Sequence, residues 1–190
     1  MAIGIYGGSF DPIHFGHLIT TLDVKEKRNL EKVFFIPSYI SPLKQNIIAA
    51  EDYHRFKMVE LAIQDVKDFL VSDFEIRRKK ISYTIETLQE FKKSFNDIEL
   101  IIGFDNYLVF DKWYLPDEIL KLAKVVVMKR QTENLDSVHN SFKDKMIFVD
   151  TPTIEISSTE IRNRVRNNLP IDFFVPQKVK EYIYKNGLYR

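Results

Sequence analysis

Short apolar runs alternate along this chain with longer stretches in which apolar residues recur every third or fourth position. Residues 3–6, 33–36, 69–74, 98–102, 125–128 and 146–149 are rich in β-branched or aromatic side chains, and several are apolar at successive positions, the pattern of strands buried on both faces. Between them, Phe56, Val59, Ile63 and Val66 share one helical face, as do Ile85, Leu88, Phe91 and Phe95. Near the end, Ser157 or Ser158 caps a helix over about 159–167, with Glu160 in its first turn. Pro170 stops what precedes it. Pro176 opens a last helix that carries Val179, Tyr182 and Ile183 and ends at Asn186 and Gly187.

Alternating strands and helices imply an α/β fold, a Rossmann-like doubly wound parallel sheet with helices on both faces. The expected organisation is one domain over residues 1–190, with about 157–190 forming a small C-terminal helical subdomain. No repeat, low-complexity segment or linker interrupts it. In such sheets ligands bind at the carboxyl ends of the strands, so functional residues are expected just after them.

Composition narrows the function classes. Apolar residues make up 45% and charged residues 29%, which supports a packed core. The fifteen Phe, nine Tyr and single Trp must largely be core. A net charge of +1 is too balanced for a protein that holds nucleic acid through bulk electrostatics. Without cysteine there is no disulfide, thiolate metal site or cysteine nucleophile. No signal-peptide pattern opens the chain, and no apolar run approaches the roughly 20 residues of a membrane span. A soluble, cytoplasmic protein is expected, and the sequence leaves homo-oligomerisation open.

The unusual residues follow the first strand: Gly7, Gly8, Ser9, Phe10, Asp11, Pro12, Ile13, His14, Phe15, Gly16 and His17. Adjacent glycines let the backbone approach a ligand and offer N–H groups to phosphate oxygens, and Ser9 adds a hydroxyl. His14 and His17 are three apart at a helix start, so both can face one pocket near its positive end. Two imidazoles there could hydrogen-bond a polyphosphate and offset charge developing during transfer. The spacing also suits a metal, although no third ligand is obvious. Neither Gly-Lys-Ser/Thr nor Gly-x-Gly-x-x-Gly follows the glycines.

A second cluster lies at residues 156–162, Ile-Ser-Ser-Thr-Glu-Ile-Arg. Its three hydroxyls at a helix start form a neutral cradle for an anion, and Arg162 lies one turn on, where a guanidinium can reach a phosphate at two points.

Gly-Ser-Phe-Asp-Pro-Ile-His-Phe-Gly-His resembles the signature of the nucleotidylyltransferase superfamily, marked by His-x-Gly-His after the first strand, and Ile-Ser-Ser-Thr-x-Ile-Arg resembles its second signature. The longer first motif is similar to that of the bacterial nicotinate mononucleotide adenylyltransferases. The resemblance implies that Gly7, Gly8, Ser9 and Phe10 bind ATP, that His14 and His17 contact its phosphates, and that Ile156, Ser157, Ser158, Thr159 and Arg162 complete the phosphate site.

Three further segments bear on the acceptor. Lys44 follows the second strand and suits a bridge between phosphates. The resembled family shows Pro-Pro-His-Lys here, and Ser41 and Leu43 depart from it. Residues 75–84 resemble the family's Glu-Leu-x-Arg-x-Gly-x-Ser-Tyr-Thr, which implies a hydrogen bond from Thr84 to the nicotinate carboxylate at a helix start. Lys80 stands where the family has glycine, and the basic run 77–80 reads as the solvated edge of a strand pair. Gly103 permits a tight turn after the fourth strand, and Asp105 could accept hydrogen bonds from a ribose or adenosine. On spacing alone Trp113 is core or lid packing; the resemblance places it on the pyridine ring, with Tyr114 beside the carboxylate.

The expected reaction is therefore attack by the phosphate of nicotinate mononucleotide on the α-phosphorus of ATP, with His14, His17, Lys44 and Arg162 neutralising charge. Mg²⁺ is expected to ride on ATP oxygens and water, with no protein side-chain ligands. Nicotinamide mononucleotide or phosphopantetheine as acceptor, and a non-catalytic nucleotide sensor, are the alternatives.

Overall fold

A computed structural model describes residues 1–42, 50–130, 132–133 and 140–190. Six parallel strands form one sheet: β1 (Ile3–Gly8), β2 (Val33–Pro37), β3 (Phe69–Val71), β4 (Ile98–Gly103), β5 (Lys124–Lys129) and β6 (Ile147–Asp150). They lie in the order β3-β2-β1-β4-β5-β6. The chain winds outward from β1 through β2 to β3, then returns to place β4 on the other side of β1. That reversal opens a crevice beyond the carboxyl ends of β1 and β4.

Strand pleating sorts the side chains between two apolar layers. Tyr6, Phe35, Ile101, Val126 and Val149 face one side, where α1 (Phe15–Lys27), α2 (Asp52–Ile63), α7 (Ser158–Arg166) and α8 (Gln177–Lys185) supply Val24, Met58, Ile161 and Val179. Ile3, Ile5, Leu100, Ile102 and Val127 face the other side, which α4 (Thr84–Phe91), α5 (Phe104–Leu108) and α6 (Pro116–Leu122) cover. Each such fully buried aliphatic chain contributes about 1.5–3 kcal/mol. Glu99 interrupts β4's apolar run because its buried carboxylate receives both Nε and a terminal nitrogen of Arg28, at 2.9 and 2.7 Å, which fixes the end of α1 against the sheet.

One expected element is different. The run 69–74 is a strand only to Val71, and residues that read as a strand pair form a short helix, α3 (Phe74–Arg78), ended by Lys79 in the left-handed region at φ 50°. Five residues are too few for helical periodicity to show in the sequence. At the other end the expectations fit closely: Ser157 caps α7 by accepting from the Glu160 N–H at 3.1 Å, Pro176 precedes α8, and Gly187 takes φ 61°.

Candidate active site

The crevice is built first from the turn after β1. A side chain on Gly8 would stand 3.0 Å from the ring of Phe10, which is buried beneath the turn. His14 caps α1 in an extended conformation and His17 lies one turn on. Their rings stack with centroids 3.7 Å apart. The His14 backbone N–H donates to Nδ1 of His17 at 3.3 Å, so a neutral His17 carries its ring proton on Nε2. His14 is buried, its Nδ1 meets no hydrogen-bond partner among the described residues, and desolvation lowers its pKa to about 4. It is a neutral imidazole at physiological pH. Gly16 makes this stack feasible, because a Cβ there would lie 2.9 Å from that Nδ1.

The start of α7 docks onto the same turn. Arg162 donates to the carbonyl oxygen of Asp11 at 2.7 Å and to the Thr159 hydroxyl at 3.2 Å, while the Ser158 hydroxyl donates to the carbonyl of Pro12 at 2.9 Å. Phe15 N–H donates to the carbonyl of Phe174, also from the last part of the chain. His14, His17 and Arg162 thus line one cavity of about 650 Å³ together with Gly7, Gly8, Ser9, Phe10, Gly103, Asp105, Ile156, Ser157, Ser158 and Thr159. Its size and mixed polar and apolar walls suit a nucleotide.

A second cavity, of about 520 Å³, lies against the other side of β1's end. Thr84 opens α4 on its wall, with Trp113 and Tyr114 across from the sheet. Trp113 packs on Phe110 at 5.2 Å between ring centroids, and its indole Nε1 has no hydrogen-bond partner among the described residues. Tyr114 is 55% exposed and lies 4.8 Å from the Tyr83 ring. The two cavities share Gly7, Gly8, Ser9, Ser38, Ser41 and Asn106, so the turn after β1, the segment after β2 and the start of α5 form their common wall. Lys44, expected to bridge phosphates, lies outside the described residues, as does Leu43.

Three residues with no assigned role in the sequence reading hold this architecture together. Arg55, on α2 and only 3% exposed, donates to the carbonyls of Ala50, Ser9 and Tyr39 at 3.0, 2.9 and 3.2 Å. One guanidinium thereby joins the turn after β1 to the segment after β2. Asp11, also buried, accepts from the Ala50 N–H at 3.1 Å and the Tyr189 hydroxyl at 2.7 Å, with Arg162 3.6 Å from its other oxygen. Burial beside this carboxylate pushes the Tyr189 hydroxyl far above its usual pKa, so it remains a donor. The sequence signal for Asp11 was its place in the motif; for Arg55 and Tyr189 there was none, because their partners are carbonyls and a distant carboxylate.

Comparison with known proteins agrees with this geometry. Residues 5–164 match the family model described as cytidylyltransferase-like. The nicotinate-nucleotide adenylyltransferase of Bacillus subtilis is 38% identical over 189 residues, spanning 98% of this chain and 97% of that protein. A Caldicellulosiruptor saccharolyticus protein named "Probable nicotinate-nucleotide adenylyltransferase" is 41% identical across the full length of both chains. Among solved structures, Plasmodium falciparum nicotinic acid mononucleotide adenylyltransferase complexed with NaAD has the same fold, with a TM-score of 0.79 at 19% identity over 99% of this chain and 97% of that one. By its matched motifs, its full-length relatives and its sheet, the chain belongs to the cytidylyltransferase-like family and, within it, to the nicotinate-nucleotide adenylyltransferases.

Proposed function

We infer that this protein transfers the adenylyl group of ATP to the 5′-phosphate of nicotinate mononucleotide, forming nicotinate adenine dinucleotide and pyrophosphate, a step of NAD biosynthesis. The observation that carries the reading is the pair of cavities meeting at Gly7, Gly8 and Ser9, one lined by His17 and Arg162 and the other by Thr84 and Trp113. A dinucleotide formed by joining two mononucleotide units requires such an arrangement: two chambers that meet where the two phosphates are to be joined.

In the proposed assignment the triphosphate lies along His14, His17, the Ser157–Thr159 hydroxyls and Arg162, and Asp105 meets the nucleoside. The acceptor's pyridine ring stacks on Trp113 and its carboxylate sits at Thr84 and Tyr114. Its phosphate is already ionised near neutral pH, so it attacks the α-phosphorus in line without a general base, and pyrophosphate leaves toward Arg162. Catalysis is then positioning and charge neutralisation on preorganised donors. The Nε2–H of His17 is a donor suited to the pentavalent centre.

We also propose that Mg²⁺ enters with ATP and, when bound, screens the charge that builds on the departing pyrophosphate. The nucleotide chamber fits that role, because its lining combines scattered carboxylates, such as Asp105, with hydroxyls and cations suited to phosphate oxygens and metal-bound water. Lys44 retains its proposed bridging role, and a cytoplasmic setting is proposed. Among the described residues no helix is long and apolar enough to cross a membrane.

The test is a pyrophosphate-release assay with Mg²⁺, ATP and, in turn, nicotinate mononucleotide, nicotinamide mononucleotide and phosphopantetheine. The acid mononucleotide is expected to give the highest kcat/KM. A higher value with either other acceptor, or no pyrophosphate with any of them, would reject the assignment.

A further inference from the structure

Three acidic side chains are buried among the described residues, Glu75, Glu99 and Asp11. Glu99 closes on both Nε and a terminal nitrogen of Arg28, and Glu75 accepts from the Thr87 hydroxyl at 2.6 Å. Asp11 is the one of the three that lines the nucleotide cavity. Its two oxygens have different surroundings. Oδ1 accepts from the Tyr189 hydroxyl at 2.7 Å and from the Ala50 N–H at 3.1 Å. Oδ2 stands 3.6 Å from a terminal nitrogen of Arg162, and that same nitrogen donates instead to the Asp11 carbonyl at 2.7 Å.

This separation matters because Arg162 also lines the cavity. A buried carboxylate short of donors draws the nearest cation onto itself. Here two neutral donors already serve Oδ1, so the guanidinium is attracted without being captured in a two-point pair such as Glu99 makes. Its bonds to the Asp11 carbonyl and the Thr159 hydroxyl leave other N–H groups of the fork for a phosphate.

The end of the chain is shaped for the same contact. Gly187 and Tyr189, left-handed at φ 61° and 66°, turn the residues after α8 back, and the Tyr189 ring packs against the core. A non-glycine residue persists in that region only where its surroundings hold it there. Burial beside the carboxylate keeps the phenol protonated, so its hydroxyl stays a donor.

We propose that Tyr189 is a positioning residue of the nucleotide site: by donating to Oδ1 of Asp11, it keeps the carboxylate from closing on Arg162 and holds that guanidinium free for a phosphate. This rests on the reading that Arg162 meets the phosphates of ATP. Without the hydroxyl, Oδ1 keeps only the Ala50 N–H among the described residues. The carboxylate then turns to Arg162 and draws the fork toward the turn after β1, away from the ligand.

Tyr189→Phe removes the hydroxyl and keeps the ring. It is expected to lower kcat/KM for ATP about tenfold, the scale of one hydrogen bond to a charged group, while the KM for nicotinate mononucleotide stays within about twofold of wild type. The deciding measurement is a double-mutant cycle with Arg162→Ala. Once the guanidinium is gone, Tyr189→Phe should lower kcat/KM for ATP by less than about twofold further, whereas a merely structural tyrosine would cause the same loss in both backgrounds. Equal losses, a single variant within about twofold of wild type, or a parallel rise in the acceptor KM would overturn the proposal. Should Tyr189→Phe fail to fold, Asp11→Asn takes its place in the cycle, because its amide keeps one oxygen but removes the charge that faces Arg162. Equal losses with and without Arg162 then overturn the proposal as well. Wild-type protein that releases pyrophosphate with none of the acceptors would instead refute the adenylyl-transfer reading. The cycle would then be read in the Kd for ATP, where an unchanged value in Tyr189→Phe overturns the proposal.

Discussion

The guanidinium of Arg162 donates to the backbone carbonyl of Asp11 at 2.7 Å, across 151 positions of sequence. It therefore anchors α7 to the turn after β1 and stands in the nucleotide cavity at the same time. Arg162→Ala should lower kcat by roughly a hundredfold or more, the scale of losing one preorganised charged donor. Arg162→Lys should recover little, because one ammonium cannot reproduce the fork that spans Asp11, Thr159 and a phosphate. Pyrophosphate-release kinetics on both variants check this, and a lysine variant near wild-type rate would refute it.

Gly16 is fixed by the imidazole above it. In Gly16→Ala the new methyl would lie 2.9 Å from Nδ1 of His14, so the stacked ring must move. Stability should fall by about 1–3 kcal/mol, as for other overpacked sites, and kcat should fall by more than the folded fraction explains. Urea unfolding combined with single-turnover rates separates the two effects.

Arg55 is the point where three backbone segments meet. Arg55→Met keeps much of the volume but leaves the carbonyls of Ser9, Tyr39 and Ala50 without their donor, and a loss of about 3–5 kcal/mol is expected. ATP should restore part of the melting temperature, since binding draws the turn back into place. A melting temperature equal to wild type in the absence of ligand would contradict this.

The buried His14 makes stability depend on pH in a defined window. Its folded pKa, about 4, lies below the unfolded value of 6.5, so the unfolded chain takes up the proton first as pH falls. The stabilisation from keeping this ring neutral is complete above 6.5 and is lost as pH drops toward 4. Between pH 7.5 and pH 5 the wild type should therefore lose about 2 kcal/mol more than His14→Asn. Chemical unfolding of both proteins at the two pH values measures the difference, and parallel losses would show that His14 does not titrate as inferred.

Much of the fold and site was legible in the chain because the relevant chemistry is local. The glycines, His14 and His17 lie within one turn and helix start, and Ser157 to Arg162 within another, so spacing alone brought each set to a single face. That the two sets meet was implied by the family resemblance of both motifs, while the expected sheet said only that functional residues follow its strands; in the fold both sets follow strands of one parallel sheet. What sequence could not disclose were contacts made to backbone: Arg55 occupies an unremarkable position on α2, and its three partners are carbonyl oxygens that no residue type marks. Glu75 was hidden differently, since its segment resembled a strand pair and its donor, Thr87, comes from α4.

Tyr189 caps the Asp11 carboxylate from 178 residues away. All six strands are complete in the sequence by Asp150, before Arg162, Phe174 and Tyr189. At that stage Asp11 lacks both its phenol and its guanidinium, and Phe15 lacks Phe174. The chain thus encodes its whole sheet before the residues that complete the nucleotide cavity and its buried carboxylate.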